Sequence, residues 1–167
     1  MEIYDEVFAY LKSAQIAFDL ISHDPVSNME ECMPGAEKLR AVMPRNLFLT
    51  PRNQSAYHLV IVPPFAPFRT ADISKQLGSS RLSFAPPEKL MEYMRTLPGA
   101  ISPMGLIFDR EKRVRFAMDR ALLDAERLAF HPCVNNMTLA MSRKDFLKYL
   151  GLLGYEAVTV DTSLSGC

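Results

Sequence analysis

The sequence predicts an α+β fold: a single domain over residues 1–167, with a mixed, mostly antiparallel β-sheet surrounded by helices. Three observations carry that expectation. Leu47-Phe48-Leu49 and Tyr57 to Val62 are apolar runs joined by the turn-rich Thr50-Pro51-Arg52-Asn53-Gln54-Ser55, the pattern of an antiparallel hairpin. Segments with helical apolar spacing stand between such runs. A chain of 167 residues, 49% hydrophobic and 23% charged, has the length and composition of one soluble core.

Taken in order, Ile3, Val7, Tyr10, Leu11 and Ala14 share one face, so residues 2–14 are expected as an amphipathic helix. Ile16, Phe18 and Leu20 then alternate as a half-buried strand ending at His23-Asp24-Pro25. His23 is either a polar residue at a strand end or a ligand or base. Ser27 and Glu30 fit a capping box for a short helix that Pro34-Gly35 stops. After the hairpin and the turn Pro63-Pro64-Phe65-Ala66-Pro67, a helix starts at Thr70 or Asp72 and ends at Gly78. Arg81 to Ala85 is a short strand, and Pro86-Pro87 opens a helix that packs Leu90, Met91, Tyr93 and Met94. Leu106-Ile107-Phe108 and Val114 to Met118 are expected as strands joined by a solvated charged tip, Asp109 to Arg113. Leu122-Leu123 sits in a helical turn, and Thr138 to Met141 is a further strand. Ser142 with Asp145 caps a last helix carrying Phe146, Leu147, Leu150 and Leu153, and Val158 and Val160 close the series as a strand.

Composition excludes several classes of function. Nineteen basic and nineteen acidic residues cancel, so any nucleic-acid contact must come from a local patch. No apolar run reaches the length of a membrane span, and Met1-Glu2-Ile3-Tyr4-Asp5 lacks a secretory pattern. Cys32, Cys133 and Cys167 are widely spaced, which fits a reducing cytoplasm better than a disulfide framework. His131 and Cys133 are the only near His/Cys pair, so neither a metal site nor a cofactor is expected. Cys133 with a distant histidine is a nucleophile–base possibility of little weight.

One stretch stands out. Leu97-Pro98-Gly99-Ala100-Ile101-Ser102-Pro103-Met104-Gly105 opens on a turn signal, and Ala100, Ile101 and Ser102 each carry a backbone N–H before Pro103 ends the row. Such a loop is either a plain turn or a set of amides offered to a carbonyl oxygen or anion. Arg45 stands before the first hairpin strand, as a solvated cation or as a phosphate or carbonyl contact at a pocket rim.

Arg45-Asn46-Leu47-Phe48-Leu49, Ser74-Lys75-Gln76-Leu77-Gly78, Arg81-Leu82-Ser83-Phe84-Ala85, Pro98-Gly99-Ala100-Ile101-Ser102-Pro103 and His131-Pro132-Cys133-Val134-Asn135-Asn136 occur in one order and spacing. That series resembles the YbaK/ProX family, the free-standing prolyl-tRNA editing proteins related to the editing insertion of bacterial prolyl-tRNA synthetases. The resemblance runs from about the first helix to Val160. It implies a mixed-sheet α+β fold and a substrate made of tRNA with a wrongly attached amino acid, and it is greatest to the branch that clears alanine from proline tRNA. The implied partners are the acceptor end of that tRNA and prolyl-tRNA synthetase.

The same resemblance implies roles for residues. Gly99 to Pro103 matches the family's G-x-x-x-P loop, so the amides of Gly99, Ala100, Ile101 and Ser102 are expected to support water attack on the ester. Pro103 and Arg81 are expected to contact substrate, His131 to hold the site or the substrate, and Asn46 to position the terminal adenosine or the ester. An aminoacyl ester is already activated, so a positioned water and a stabilised oxyanion suffice. A small pocket that admits alanine and excludes proline would supply selectivity.

Arg45 stands where this branch usually has lysine, and Thr50 where members often have a basic residue. A guanidinium is a planar, permanently charged fork, whereas an ammonium is a compact charge that can lose its proton. Two alternatives therefore accompany the expectation: a weak or inactive module that binds aminoacyl-tRNA or an amino acid, and a deacylase for another small residue such as cysteine or serine.

Overall fold

In the computed structural model, which describes residues 1–164, the strands form two sheets. The larger has five strands in the order β4-β2-β3-β5-β8, comprising β2 (Arg45–Pro51), β3 (Tyr57–Val62), β4 (Leu82–Phe84), β5 (Val114–Asp119) and β8 (Val158–Val160). The smaller is β1-β7-β6, from β1 (Asp19–Ser22), β6 (Arg127–Phe130) and β7 (Met137–Ser142). Pairing is antiparallel throughout the small sheet and for β2 with β3 and β4, but parallel for β3–β5 and β5–β8. Five helices pack around them: α1 (Ile3–Ser13), α2 (Met29–Lys38), α3 (Thr70–Gln76), α4 (Pro87–Met94) and α5 (Arg143–Leu153). The expected mixed α+β architecture is what the chain adopts, with its strands divided between two sheets.

The 45–62 hairpin forms as its alternation predicts, with Leu47 opposite Val60 and Phe48 opposite Leu59. Strand β3 is buried along its whole length because both faces are covered. Tyr57, Leu59 and Ile61 enter the main core with Phe116, Phe130, Phe146 and Tyr149. Val60 and Val62 pack under α3 with Leu47, Leu49, Ile73 and Leu82. A one-residue register slip would exchange these two sets, so burial of both fixes the pairing. The two sheets meet through Val42, which accepts from Ala129 N and donates to Arg127 O just before β2 begins.

Several local expectations are corrected. Strand β1 starts at Asp19, and Ile21 rather than Leu20 faces inward, so the alternation of Ile16, Phe18 and Leu20 belongs partly to the turn after α1. Helix α2 is capped by Asn28, whose Oδ1 accepts from Glu31 N at 2.9 Å, while Ser27 Oγ donates to the Glu31 carboxylate. It runs through Pro34 and Gly35 to Lys38. Pro34 withdraws one N–H on an exposed turn, and Gly35 brings the helix close to β1, where a Cβ would lie 3.3 Å from Ile21 Cδ1.

Leu106-Ile107-Phe108 is the C-terminal half of a 3-10 segment, Pro103–Phe108, and not a strand. Ser102 Oγ caps it by accepting from Met104 N, and Pro103 fixes its first φ. Asp109 is buried instead of solvated: it accepts from Arg113 N, Val114 N and the Tyr155 hydroxyl at 2.8–2.9 Å. Sequence spacing also placed Met91 and Leu147 in the core, whereas both are exposed, and on α5 Tyr149 is fully buried beside Phe146. Cys167 lies outside the described residues.

Gly105 sets how closely the 3-10 segment approaches α4. A Cβ there would lie 2.8 Å from the Met94 carbonyl oxygen and 3.0 Å from Met94 Cβ. Gly105→Ala is expected to lower stability by about 1–3 kcal/mol, the usual cost of forcing a methyl into a packed contact. Gly99→Ala, where a Cβ meets nothing within 4 Å, should stay within about 0.5 kcal/mol of the parent. Urea unfolding of the two variants measures the difference, and equal midpoints would refute the packing argument.

Candidate active site

The N-terminus of β2, the start of α2, the 98–101 turn and the end of β6 converge on one cavity of about 660 Å³. Its wall includes Arg45, Asn46, Gly99, Ile101 and His131 from the residues singled out in the sequence. It also includes Val26, Asn28, Met29, Glu30 and Cys32 from α2 and its approach, and Pro64 and Phe65 from the proline-rich turn.

The loop is a 3-10 turn, Pro98–Ala100. Its amide row is corrected in part, because Ala100 N–H is committed to Leu97 O at 2.9 Å. Ala100 O accepts from Thr96 Oγ1, Ser102 is buried as the cap of the next turn, and Pro103 O accepts from Tyr149 Oη at 2.7 Å. Ala100, Ser102 and Pro103 thus form the frame behind the wall, and Gly99 and Ile101 its face. Arg81 lies apart from this cavity. It precedes Leu82, which pairs with Pro51 at the far end of β2 from Arg45, about 20 Å away.

Arg45 is exposed, with its guanidinium carbon 5.1 Å from the Phe68 ring centroid. This contact orients a planar cation at the rim. Asn46 donates from Nδ2 to Pro44 O at 3.3 Å, while its Oδ1 is buried and takes no hydrogen bond among the described residues.

His131 is buried, and its two nitrogens have distinct surroundings. Nδ1 lies 3.0 Å from Met137 O, a group that can only accept, so Nδ1 carries the proton. Nε2 is left as an acceptor, facing Cys32 Sγ at 3.8 Å. Burial pushes the imidazole below the ordinary histidine range; the Met137 bond opposes this and nearby His23 adds to it. His23 is fixed similarly, with Nδ1 on Asp24 O and Nε2 facing Thr138 Oγ1, both at 2.8 Å. The cysteine that meets a histidine is therefore Cys32, not Cys133. Burial and the Glu31 carboxylate raise the Cys32 thiol, and burial pushes Cys133 up to about 12, so both remain protonated at neutral pH.

Cys32 and the α2 residues escaped sequence reasoning because no motif marks them. The Asn28 cap two residues after buried Val26 was the available signal. Among the described residues no three His, Cys, Asp or Glu side chains gather as a metal site. No helix among them is long and apolar enough to cross a membrane.

The aminoacyl-tRNA editing domain family matches residues 23–149, a span that contains every candidate residue above. Prolyl-tRNA synthetase associated domain-containing protein 1 of Bos taurus is 30% identical over 155 residues, covering 90% of each chain. The prolyl-tRNA editing protein ProX of Acetoanaerobium sticklandii is 30% identical over 148 residues, covering 89% of this chain and 90% of its own. A solved structure described as a candidate trans-editing enzyme for prolyl tRNA synthetase matches with a TM-score of 0.72 at 15% identity, over 96% of both chains. A hypothetical protein matches with a TM-score of 0.72 at 17% identity, over 96% of this chain and 98% of its own. At those identities the structural likeness speaks for the fold alone.

The histidines make a pH prediction. Burial lowers both His131 and His58, the latter also facing Arg115. The unfolded chain binds protons near pH ~6.5 that the folded chain refuses. Stability is therefore full above about pH 6.5 and falls as pH drops through that value toward the folded pKa values. Nitrogen-15 NMR should find His131 protonated on Nδ1 with a midpoint below about 6.5. Urea midpoints should decline on acidification, less steeply in His58→Gln. A His131 midpoint above the ordinary value would contradict the assignment.

Proposed function

The chain belongs to the aminoacyl-tRNA editing domain family, and from that premise we propose that it hydrolyses a mischarged aminoacyl-tRNA in trans, with alanyl-tRNA for proline as its substrate. One observation carries the reading: Arg45 and Asn46, Gly99 and Ile101, and His131 come from three separate motifs and line a single cavity.

The chemistry asked of these groups is modest. The ester carbonyl sits against the Gly99–Ile101 turn, whose Ile101 amide donates to the oxygen as negative charge develops there. One such donor is worth about 3 kcal/mol, roughly a hundredfold in rate. Neutral His131 accepts a hydrogen bond from the attacking water at Nε2, displacing the weak thiol contact of Cys32. The water oxygen bonds to the carbonyl carbon, the ester C–O bond breaks, and the ribose oxygen leaves with a proton. Arg45 holds a terminal phosphate by charge and a forked hydrogen bond, a role that needs no change of protonation. Arg81, at the other end of β2, touches the acceptor stem, and prolyl-tRNA synthetase is the proposed source of the mischarged tRNA.

The Arg45–Phe68 contact also fits a module that binds without cutting, since a guanidinium held by a ring can anchor phosphate without aiding hydrolysis. Both readings meet in one assay. Purified protein incubated with alanyl-tRNA for proline should release free alanine well above the buffer rate, and more slowly from cysteinyl- or seryl-tRNA. Arg45→Ala should raise KM about tenfold or more with a smaller change in kcat, the signature of lost phosphate binding. His131→Gln should lower kcat about a hundredfold. Activity appearing only in Arg45→Lys would establish the binder, and no release by folded wild type would overturn the deacylase.

A further inference from the structure

We infer that the cavity recognises a free α-ammonium group on the aminoacyl ester, taken up by Asn46 Oδ1 with the Glu30 carboxylate, so that deaminated or N-blocked esters are rejected. The inference rests on the deacylase reading above and adds what that reading leaves open, namely which part of the amino acid is read by polar contact.

The first observation is the orphaned acceptor. Pro44 O can only accept, so it turns the Asn46 amide with Nδ2 toward itself and Oδ1 away. Oδ1 is buried in the cavity wall and receives no hydrogen bond among the described residues. An unsatisfied buried oxygen is costly, so a small turn of the Asn46 side chain that brings Oδ1 to a donor on the ligand is favoured. A hydroxyl could supply one hydrogen, whereas an ammonium supplies three and a charge.

The second observation is the distribution of charge. Among the described residues lining the cavity, Glu30 is the sole carboxylate and Arg45 the sole permanent cation. They stand on different elements, in the first turn of α2 and at the start of β2. An aminoacyl ester at the end of an RNA strand has the matching polarity: an ammonium on the amino acid and a phosphate on the nucleotide side. An N-acyl group would remove the charge and two of the donors, and would leave Oδ1 facing an amide of wrong reach.

The test compares three esters on one tRNA: alanyl, lactyl made from it by nitrous acid deamination, and N-acetylalanyl. Lactate keeps the size of alanine and replaces the ammonium with a hydroxyl. Each rate is divided by the spontaneous rate of the same ester, because the ammonium itself activates the carbonyl. Wild-type kcat/KM should be about thirtyfold lower or more on lactyl than on alanyl ester, the scale of one hydrogen bond to a charged group, and lower again on N-acetylalanyl. Asn46→Leu should lose activity on the alanyl ester and little on lactyl, so that their ratio collapses, and Asn46→Asp should restore the ratio. Equal normalised wild-type rates on alanyl and lactyl esters would overturn the inference while leaving deacylation intact. An equal loss on both in Asn46→Leu would overturn it too, by giving Asn46 a structural part only. Hydrolysis of none of the three would overturn the deacylase reading and this inference together.

Discussion

The close approach of Gly105 to the Met94 carbonyl sets the path of the chain that carries the 98–101 turn into the cavity wall. Helix α4 ends at Met94, and the chain returns along it as the 3-10 segment that Gly105 admits to close range. Everything between, Arg95 to Met104, is spanned by a short connection with little freedom. Thr96 Oγ1 and Leu97 O consume the polar groups of Ala100, and Tyr149 Oη holds Pro103 O from α5. The turn is rigid because its inward-facing polar atoms are satisfied within the fold. Gly99 and Ile101 are what remains to face the cavity.

The opposite wall is built on the same economy of partners. The β6–β7 hairpin places the Met137 carbonyl against His131 Nδ1 and the Thr138 hydroxyl against His23 Nε2. Met137 O sets His131 in the Nδ1-protonated form, Asp24 O does the same for His23, and burial keeps His131 neutral. Cys32 reaches His131 from α2, and α2 can lie that close to the small sheet because residue 35 lacks a Cβ. Gly35 and Gly105 thus permit close packing behind the elements that line the cavity. Neither belongs to the residues that line it as chemistry-bearing groups.

Much of the fold was legible because burial imposes period. The 45–62 hairpin, α1, α5 with its Ser142 cap, and the Thr70 helix followed from alternation, helical spacing and capping chemistry. Leu106-Ile107-Phe108 misled because three apolar residues fit a buried strand and a buried 3-10 turn equally well; Ser102 and Pro103 as cap and first residue decide it. Asp109 was hidden in a charged run whose other members are solvated, and its partner Tyr155 is remote in sequence. At the cavity, Arg45, Asn46, Gly99, Ile101 and His131 were legible from the motif series. The division of the loop between face and frame was not, because it depends on which amide finds a carbonyl.

Arg45 is where sequence and structure bear on each other most directly. A lysine at that position would be flexible and able to exchange its proton, whereas Arg45 is planar, permanently charged and set against Phe68. The cavity thus has a fixed positive rim, a neutral histidine that can only accept at Nε2, and a buried amide oxygen without a donor. Within such a site the guanidinium cannot take up a proton and the Cys32 thiol stays protonated, which leaves His131 Nε2 and the Glu30 carboxylate as the groups able to accept one. On the deacylase reading, replacing lysine by arginine leaves the hydrolytic step to His131 and the Ile101 amide, and confines residue 45 to binding. The substitution then alters how firmly the RNA end is held more than how fast the ester is cut.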